Sequence, residues 1–143
     1  MSAEEIIQTL GLAPHPEGGH FRETWVAEGA GRPNGTCIYF LLQGGETNRW
    51  HRVDAAEIWH FYAGAPLLLR IAEHAEGPAE RHVLGPDLAS GARPQVLVPP
   101  GHWQRAECTG DWTLVGCTVS PGFLFERFEL AEDGFDIPEA DAK

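Results

Sequence analysis

Glycine and proline cut this chain into pieces too short for most things but β-strands. Seventeen Gly and eleven Pro are spread over 143 residues, with clusters at Gly44-Gly45, Gly85-Pro86-Asp87, Ser90-Gly91, Pro99-Pro100-Gly101 and Pro121-Gly122. A helical bundle would not tolerate breaks at this density, whereas an all-β protein uses them as turns. Extended segments are expected at 21–26, 36–42, 49–53, 57–62, 67–72, 81–84, 95–98, 104–107, 112–119 and 125–130. About ten short strands with such punctuation predict a sandwich or jelly roll. Segment 36–42 (T-C-I-Y-F-L-L) hardly alternates, which marks a strand covered on both faces.

One helix is expected, at 3–10. Ser2-Ala3-Glu4-Glu5 has the form of a capping box, Ile6, Ile7 and Leu10 make one apolar stripe, and Gly11 is a natural stop. No second amphipathic run follows, apart from a possible single helical turn at 88–91. A chain of this length can bury a real core, so 1–143 reads as one domain. An acidic flexible tail is expected over 132–143.

Charge narrows the partners. The net charge of −11 repels phosphate backbones and anionic lipid, so neither nucleic acid nor a membrane is expected as a partner. No apolar run approaches the length of a membrane span, and the start M-S-A-E-E lacks the basic region of a secretory signal. Cys37, Cys108 and Cys117 are an odd set without metal spacing and read as free thiols of a cytoplasmic protein.

The chemistry concentrates between Gly45 and Gly64. Read as two strands joined at Asp54-Ala55-Ala56, this stretch puts His51 and Val53 on one face of the first strand, and Glu57, Trp59 and Phe61 on one face of the second. If the faces coincide, an imidazole and a carboxylate meet beside an aromatic wall. A buried carboxylate is costly unless paired or bound. Tyr39 is expected to reach the same cavity from a neighbouring strand. Ile58, His60 and Tyr62 face the other way, and His60 is assigned to a subunit contact. Gly18 and Gly19 let the backbone pass close over the sheet, which can turn Glu17 into the cavity. Inert burial is expected for Cys37 and Cys117.

These strings resemble a known family. Gly45-x5-His51-x-Val53-x3-Glu57-x6-Gly64 is similar to the first cupin motif with Val53 in place of its second histidine. Pro99-x-Gly101-x2-Gln104 resembles the second motif, with Gln104 in place of its metal-binding histidine. Pro14-His15-Pro16-Glu17-Gly18-Gly19, Trp50-His51-Arg52-Val53 and Gly116-Cys117-Thr118-Val119-Ser120-Pro121-Gly122-Phe123 look like the cupin-5 family, a domain of unknown function, over about residues 4–130. The resemblance implies a double-stranded β-helix jelly roll with a short N-terminal helix, and a homodimer. It implies no agreed activity. A metal-binding cupin uses three histidines and one glutamate; here the equivalent set is His51, Val53, Glu57 and Gln104, a poor first shell.

No cofactor is therefore expected, a divalent metal on His51, Glu57 and Gln104 being the lesser alternative. The favoured expectation is an enzyme moving a proton on a small polar metabolite, a sugar, nucleotide-sugar or organic-acid derivative. His51 would be the base and Glu57 its orienting partner, with Tyr39, Trp59, Phe61, Gln104 and Glu17 around the substrate. A non-catalytic module using the same cavity remains open beside it, as does a metal-dependent enzyme.

Overall fold

The computed structural model describes residues 1–140. Helix α1 (Ala3–Leu10) is capped as its sequence dictates. The Ser2 hydroxyl accepts from the Glu5 N–H at 3.2 Å, and the Glu5 carboxylate accepts from the Ser2 N–H at 3.1 Å. Gly11 ends the helix in the left-handed conformation at φ 67°.

Eleven strands follow: β1 (Ala13–Pro14), β2 (His20–Val26), β3 (Thr36–Gln43), β4 (His51–Val53), β5 (Ala56–Gly64), β6 (Leu67–Ala72), β7 (Glu80–Leu84), β8 (Gln95–Val98), β9 (Trp103–Cys108), β10 (Trp112–Ser120) and β11 (Phe128–Leu130). They form two antiparallel sheets packed face to face. The larger has the order β1-β2-β3-β10-β5-β8 and the smaller β11-β4-β9-β6-β7. This is the all-β jelly roll that the turn spacing requires.

Two of its core layers flank the larger sheet. Between the sheets lie Phe40, Leu42, Trp59, Leu67, Leu69 and Val115, all with almost no exposure. Each such side chain contributes on the order of 2 kcal/mol through burial. On the outer side of the larger sheet, α1 lays Ala3 and Ile6 over Leu41 and Leu12. Covered by helix on one face and core on the other, β3 lacks alternation for the reason expected.

Three sequence expectations need correction. Residues 49–53 and 57–62 do not form a hairpin: β4 belongs to the smaller sheet and β5 to the larger. Asp54-Ala55 is a corner at which the chain changes sheets, its Asp54 carboxylate gripped by Arg32 at 2.8 and 3.1 Å. Residues 125–130 are not one strand, because Phe125–Arg127 closes a 3-10 turn before β11 begins. The acidic end is not a loose tail over its described part. Ile137 is buried, Phe135 packs at a tilt against Trp103, and Asp136 accepts from the Trp50 indole N–H at 2.8 Å. Glu139 pairs with Arg70 at 2.8 Å. The apolar Trp50–Trp103 surface of the smaller sheet needs that cover; residues 141–143 of the expected tail lie outside the described residues.

Candidate functional site: an acid–imidazole cavity in the barrel

One end of the space between the sheets is not filled by core. A cavity with about 40 Å³ of enclosed space, about 470 Å³ when the open solvent at its mouth is included, is lined there by His51 and Val53 of β4, Glu57 of β5, Thr36 and Ile38 of β3, and Val119 of β10. His15 and Glu17 enter from the loop before β2, and Phe123, Phe125 and Phe128 close the mouth.

The loop reaches inward because two glycines let it. A Cβ on Gly18, at φ +101°, would stand 1.9 Å from the Thr47 carbonyl oxygen, and one on Gly19 would stand 2.7 Å from the Phe40 ring. Only glycine permits this approach at such φ values. The Glu17 carbonyl then accepts from the Arg49 N–H at 2.7 Å and the Asn48 side-chain amide at 3.2 Å, which ties the loop to the strand carrying His51.

The central contact is between Glu17 Oε2 and His51 Nε2, at 2.6 Å, with both side chains almost fully buried. The other imidazole nitrogen, Nδ1, donates to the Arg49 carbonyl at 2.8 Å. A carbonyl can only accept, so that proton is committed, and the mobile one lies between Nε2 and the carboxylate. Burial alone would lower the His51 pKa, but the Glu17 carboxylate more than offsets this and the net direction is upward. Burial likewise works to raise Glu17, and the His51 imidazolium reverses it, leaving that carboxyl below its usual range. The two form a short, charge-assisted pair.

Glu57 is set differently. Burial pushes its carboxyl up to about 7; Glu17 adds to the rise, while His51 and a hydrogen bond from Gln104 oppose it. The Gln104 amide N–H donates to Glu57 Oε1 at 2.7 Å, and its own carbonyl accepts from the Trp59 indole N–H at 2.7 Å. Indole is only a donor, so the orientation of this amide is determined. Gln104 thus joins the two sheets, β9 to β5, and has both ends engaged.

His15 completes the floor. Its Nδ1 accepts from the Glu17 N–H at 3.1 Å, its ring meets Phe21 edge-on at 4.5 Å, and burial keeps its pKa low, so it is neutral.

The structure sorts the expected site residues. His51, Glu57 and Glu17 all line the cavity. The partnership differs from that expected, since His51 is bonded to Glu17 and Glu57 to Gln104. Tyr39 is on the wrong face: it joins the apolar layer under α1 and meets Tyr62 edge-on at 6.4 Å. Trp59 and Phe61 face inward but belong to the packed core rather than the cavity wall. Gln104 is absent from the wall too, held behind Glu57. Sequence reasoning missed His15, Glu23 and the three phenylalanines. Only the repetition Phe123-x-Phe125-x2-Phe128 after Pro121-Gly122 offered a signal for them.

The model of a Cupin superfamily domain of unknown function, Cupin_5 (DUF985), matches residues 4–131. The chain belongs to the Cupin_5 family. This cupin is similar to protein SO0799 from Shewanella oneidensis, with 42% identity, a TM-score of 0.86, and coverage of 92% of this chain and 85% of that one. It is also similar to a hypothetical protein from Leishmania major, with 29% identity, a TM-score of 0.81, and coverage of 90% and 86%. Oxalate decarboxylase from Bacillus subtilis shares the fold at 16% identity and a TM-score of 0.64, over 82% of this chain and 29% of that one. No curated protein matches the sequence.

Cupins that carry a metal set the question of whether this one is built to do so. At the four equivalent positions Val53 has no donor atom, and Gln104 is engaged by Trp59 and Glu57. Among the described residues no group of three or more His, Cys, Asp or Glu side chains has the arrangement to hold a metal ion. The side chains therefore do not fit the metal shell of the superfamily, and what they do offer is a proton-handling pair beside a near-neutral acid.

Proposed function

We propose that this cupin binds a small polar metabolite in the cavity and moves a proton on it without a resident metal, in the manner of an isomerase or epimerase. The observation that carries the reading is the 2.6 Å Glu17–His51 contact opening onto the same cavity as Glu57. Two carboxyls lining one cavity with the His51 imidazole have been driven apart, Glu17 downward and Glu57 up to about 7. Such a split is how one site supplies both an acid and a base near neutral pH.

The roles follow from the bonding. Glu17 orients the His51 ring and balances its charge, and the proton the two share at 2.6 Å is the one delivered, through the Glu17 carboxyl. Ionised Glu57 accepts one on the opposite wall. Activity should accordingly rise with pH through about 7 as Glu57 ionises, and fall once His51 loses its proton.

The test is exchange of carbon-bound hydrogen with heavy water, across a panel of neutral sugars, nucleosides and amines, by chelator-treated protein. The expected result is exchange that drops by about 10²–10⁴ in Glu17→Gln and Glu57→Gln. Exchange unaffected by either substitution, or restored only by added divalent metal, overturns the reading. Binding without exchange by any compound leaves a non-catalytic module as the function.

The same reading includes a homodimer and a reducing compartment. Trp25, Tyr62 and Leu97 stand 60%, 48% and 55% exposed on strands of the larger sheet, a surface apolar enough to pair. Cys37, Cys108 and Cys117 are free thiols, as a cytoplasmic protein would keep them. Among the described residues no helix is long and apolar enough to cross a membrane.

A further inference from the structure

Among the described residues, the ionisable groups of the cavity wall are Glu17, Glu23, Glu57, His15 and His51, with no arginine among them. The His51 charge is already matched by Glu17 at 2.6 Å. His15 accepts the Glu17 N–H and brings no positive charge. Among the described residues, Glu23 at the rim has no cationic side chain facing it from the lining, and Glu57 has only His51, whose charge the closer Glu17 already takes. The guanidiniums flanking the mouth are turned elsewhere: Arg32 pairs with Asp54 at 2.8 Å and Arg127 lies 4.0 Å from the same carboxylate.

The apolar part of the wall adds to this bias. Phe123, Phe125 and Phe128 form a cluster, with ring centroids 4.9, 5.6 and 6.1 Å apart, and Phe21 faces the same space. An aromatic face is electronegative and attracts a cation, most strongly where water is excluded. An anion entering here would meet both the ring faces and the carboxylates of Glu57 and Glu23, in the field of a chain carrying −11. Rings and acids thus select the same sign of charge.

We propose that the ligand of this cavity carries a protonated amine, held between the phenylalanine rings and the carboxylates of Glu57 and Glu23, and that carboxylate and phosphate compounds are rejected. The proposal rests on the reading of this cavity as the binding site. It narrows the metabolite class by removing organic acids and nucleotide-sugars, and by favouring amino-sugars and aryl or alkyl amines.

Benzylamine, benzyl alcohol and benzoate share a ring and differ in charge, which makes them suitable probes. Each is titrated into the wild type and Glu23→Gln at about pH 7, with the ring C–H resonances of His15 and His51 followed by NMR. Those two rings line this cavity, so they report binding within it. The expected result is benzylamine binding at least about tenfold more tightly than benzyl alcohol, with benzoate silent. In Glu23→Gln the amine should lose about two- to fivefold, because the rim carboxylate is exposed and screened, and the alcohol should not change. Benzoate or the alcohol binding as well as the amine overturns the charge selection while leaving the cavity as a binding site. An amine preference unchanged in Glu23→Gln overturns the selection as well. Silence from all three probes overturns it together with the binding-site reading.

Discussion

Replacing Glu57 by glutamine should stabilise this protein in alkali and leave it nearly unchanged in acid. Burial pushes the Glu57 carboxyl from 4.5 to about 7. A group held more tightly protonated in the folded state supports the fold fully below its unfolded pKa, and loses that support as pH rises to the folded value. At 1.36 kcal/mol per tenfold change, the span from 4.5 to about 7 is worth about 3 kcal/mol. Above about pH 7 the wild type therefore carries an ionised, buried carboxylate that the glutamine variant lacks.

The substitution is close to isosteric, and Gln104 can go on donating to the remaining oxygen. The contributions of His51 and Glu17 to the pH profile are largely common to both proteins and cancel in the difference. Urea unfolding of the two, followed by tryptophan fluorescence between about pH 4 and pH 8.5, gives that difference directly. The stabilities should converge near pH 4 and separate by about 3 kcal/mol, glutamine above glutamate, by about pH 8. Parallel pH profiles would refute the argument, since the carboxyl would then titrate alike in the folded and unfolded chain.

Other perturbations test the remaining contacts. In Glu17→Gln the His51 pKa should fall below its ordinary value, because desolvation is no longer outweighed; a ring titration like that of the wild type would mean the 2.6 Å pair does not govern it. Gln104→Leu leaves the Trp59 indole N–H and Glu57 Oε1 buried without their partner, a loss of about 2–5 kcal/mol by urea unfolding. Wild-type stability there would show that the two groups find other partners. Gly18→Ala, with its Cβ placed 1.9 Å from the Thr47 oxygen, should destabilise well beyond Gly45→Ala, where φ is +84° but no atom lies within 4 Å. The latter should cost only the backbone strain of about 1–2 kcal/mol, and equal losses would contradict the close-approach explanation.

What the sequence could reveal was set by the range of each physical signal. Strand number and the inward facing of His51 and Glu57 were legible, because period-two alternation and turn residues act within a few positions. The pairing of His51 with Glu17 was not, because it joins a strand to an irregular loop 34 residues earlier and depends on how closely Gly18 and Gly19 pass Thr47 and Phe40. Tyr39 was misplaced for a related reason. Alternation says which residues share a face, not which face is inside, and β3 is covered on both. The corner at Asp54-Ala55 looks locally like a hairpin turn. Its assignment to two sheets depends on partners at β9, β10 and β11, far along the chain. Phe135 and Ile137 were hidden by their acidic neighbours, whose composition outweighed two well-placed apolar side chains.

The corner also makes the site a gauge of the sandwich's thickness. His51 is fastened to one wall and Glu57 to the other, with the Gln104 amide as the rivet between them. Their separation is consequently set by whatever fills the gap further down, around Leu42, Leu69 and Val115. Thinning or thickening that filling with smaller or larger aliphatics would tighten or slacken the distance a proton must cover, without touching any residue of the cavity. Distant changes in the barrel can in this way retune its chemistry.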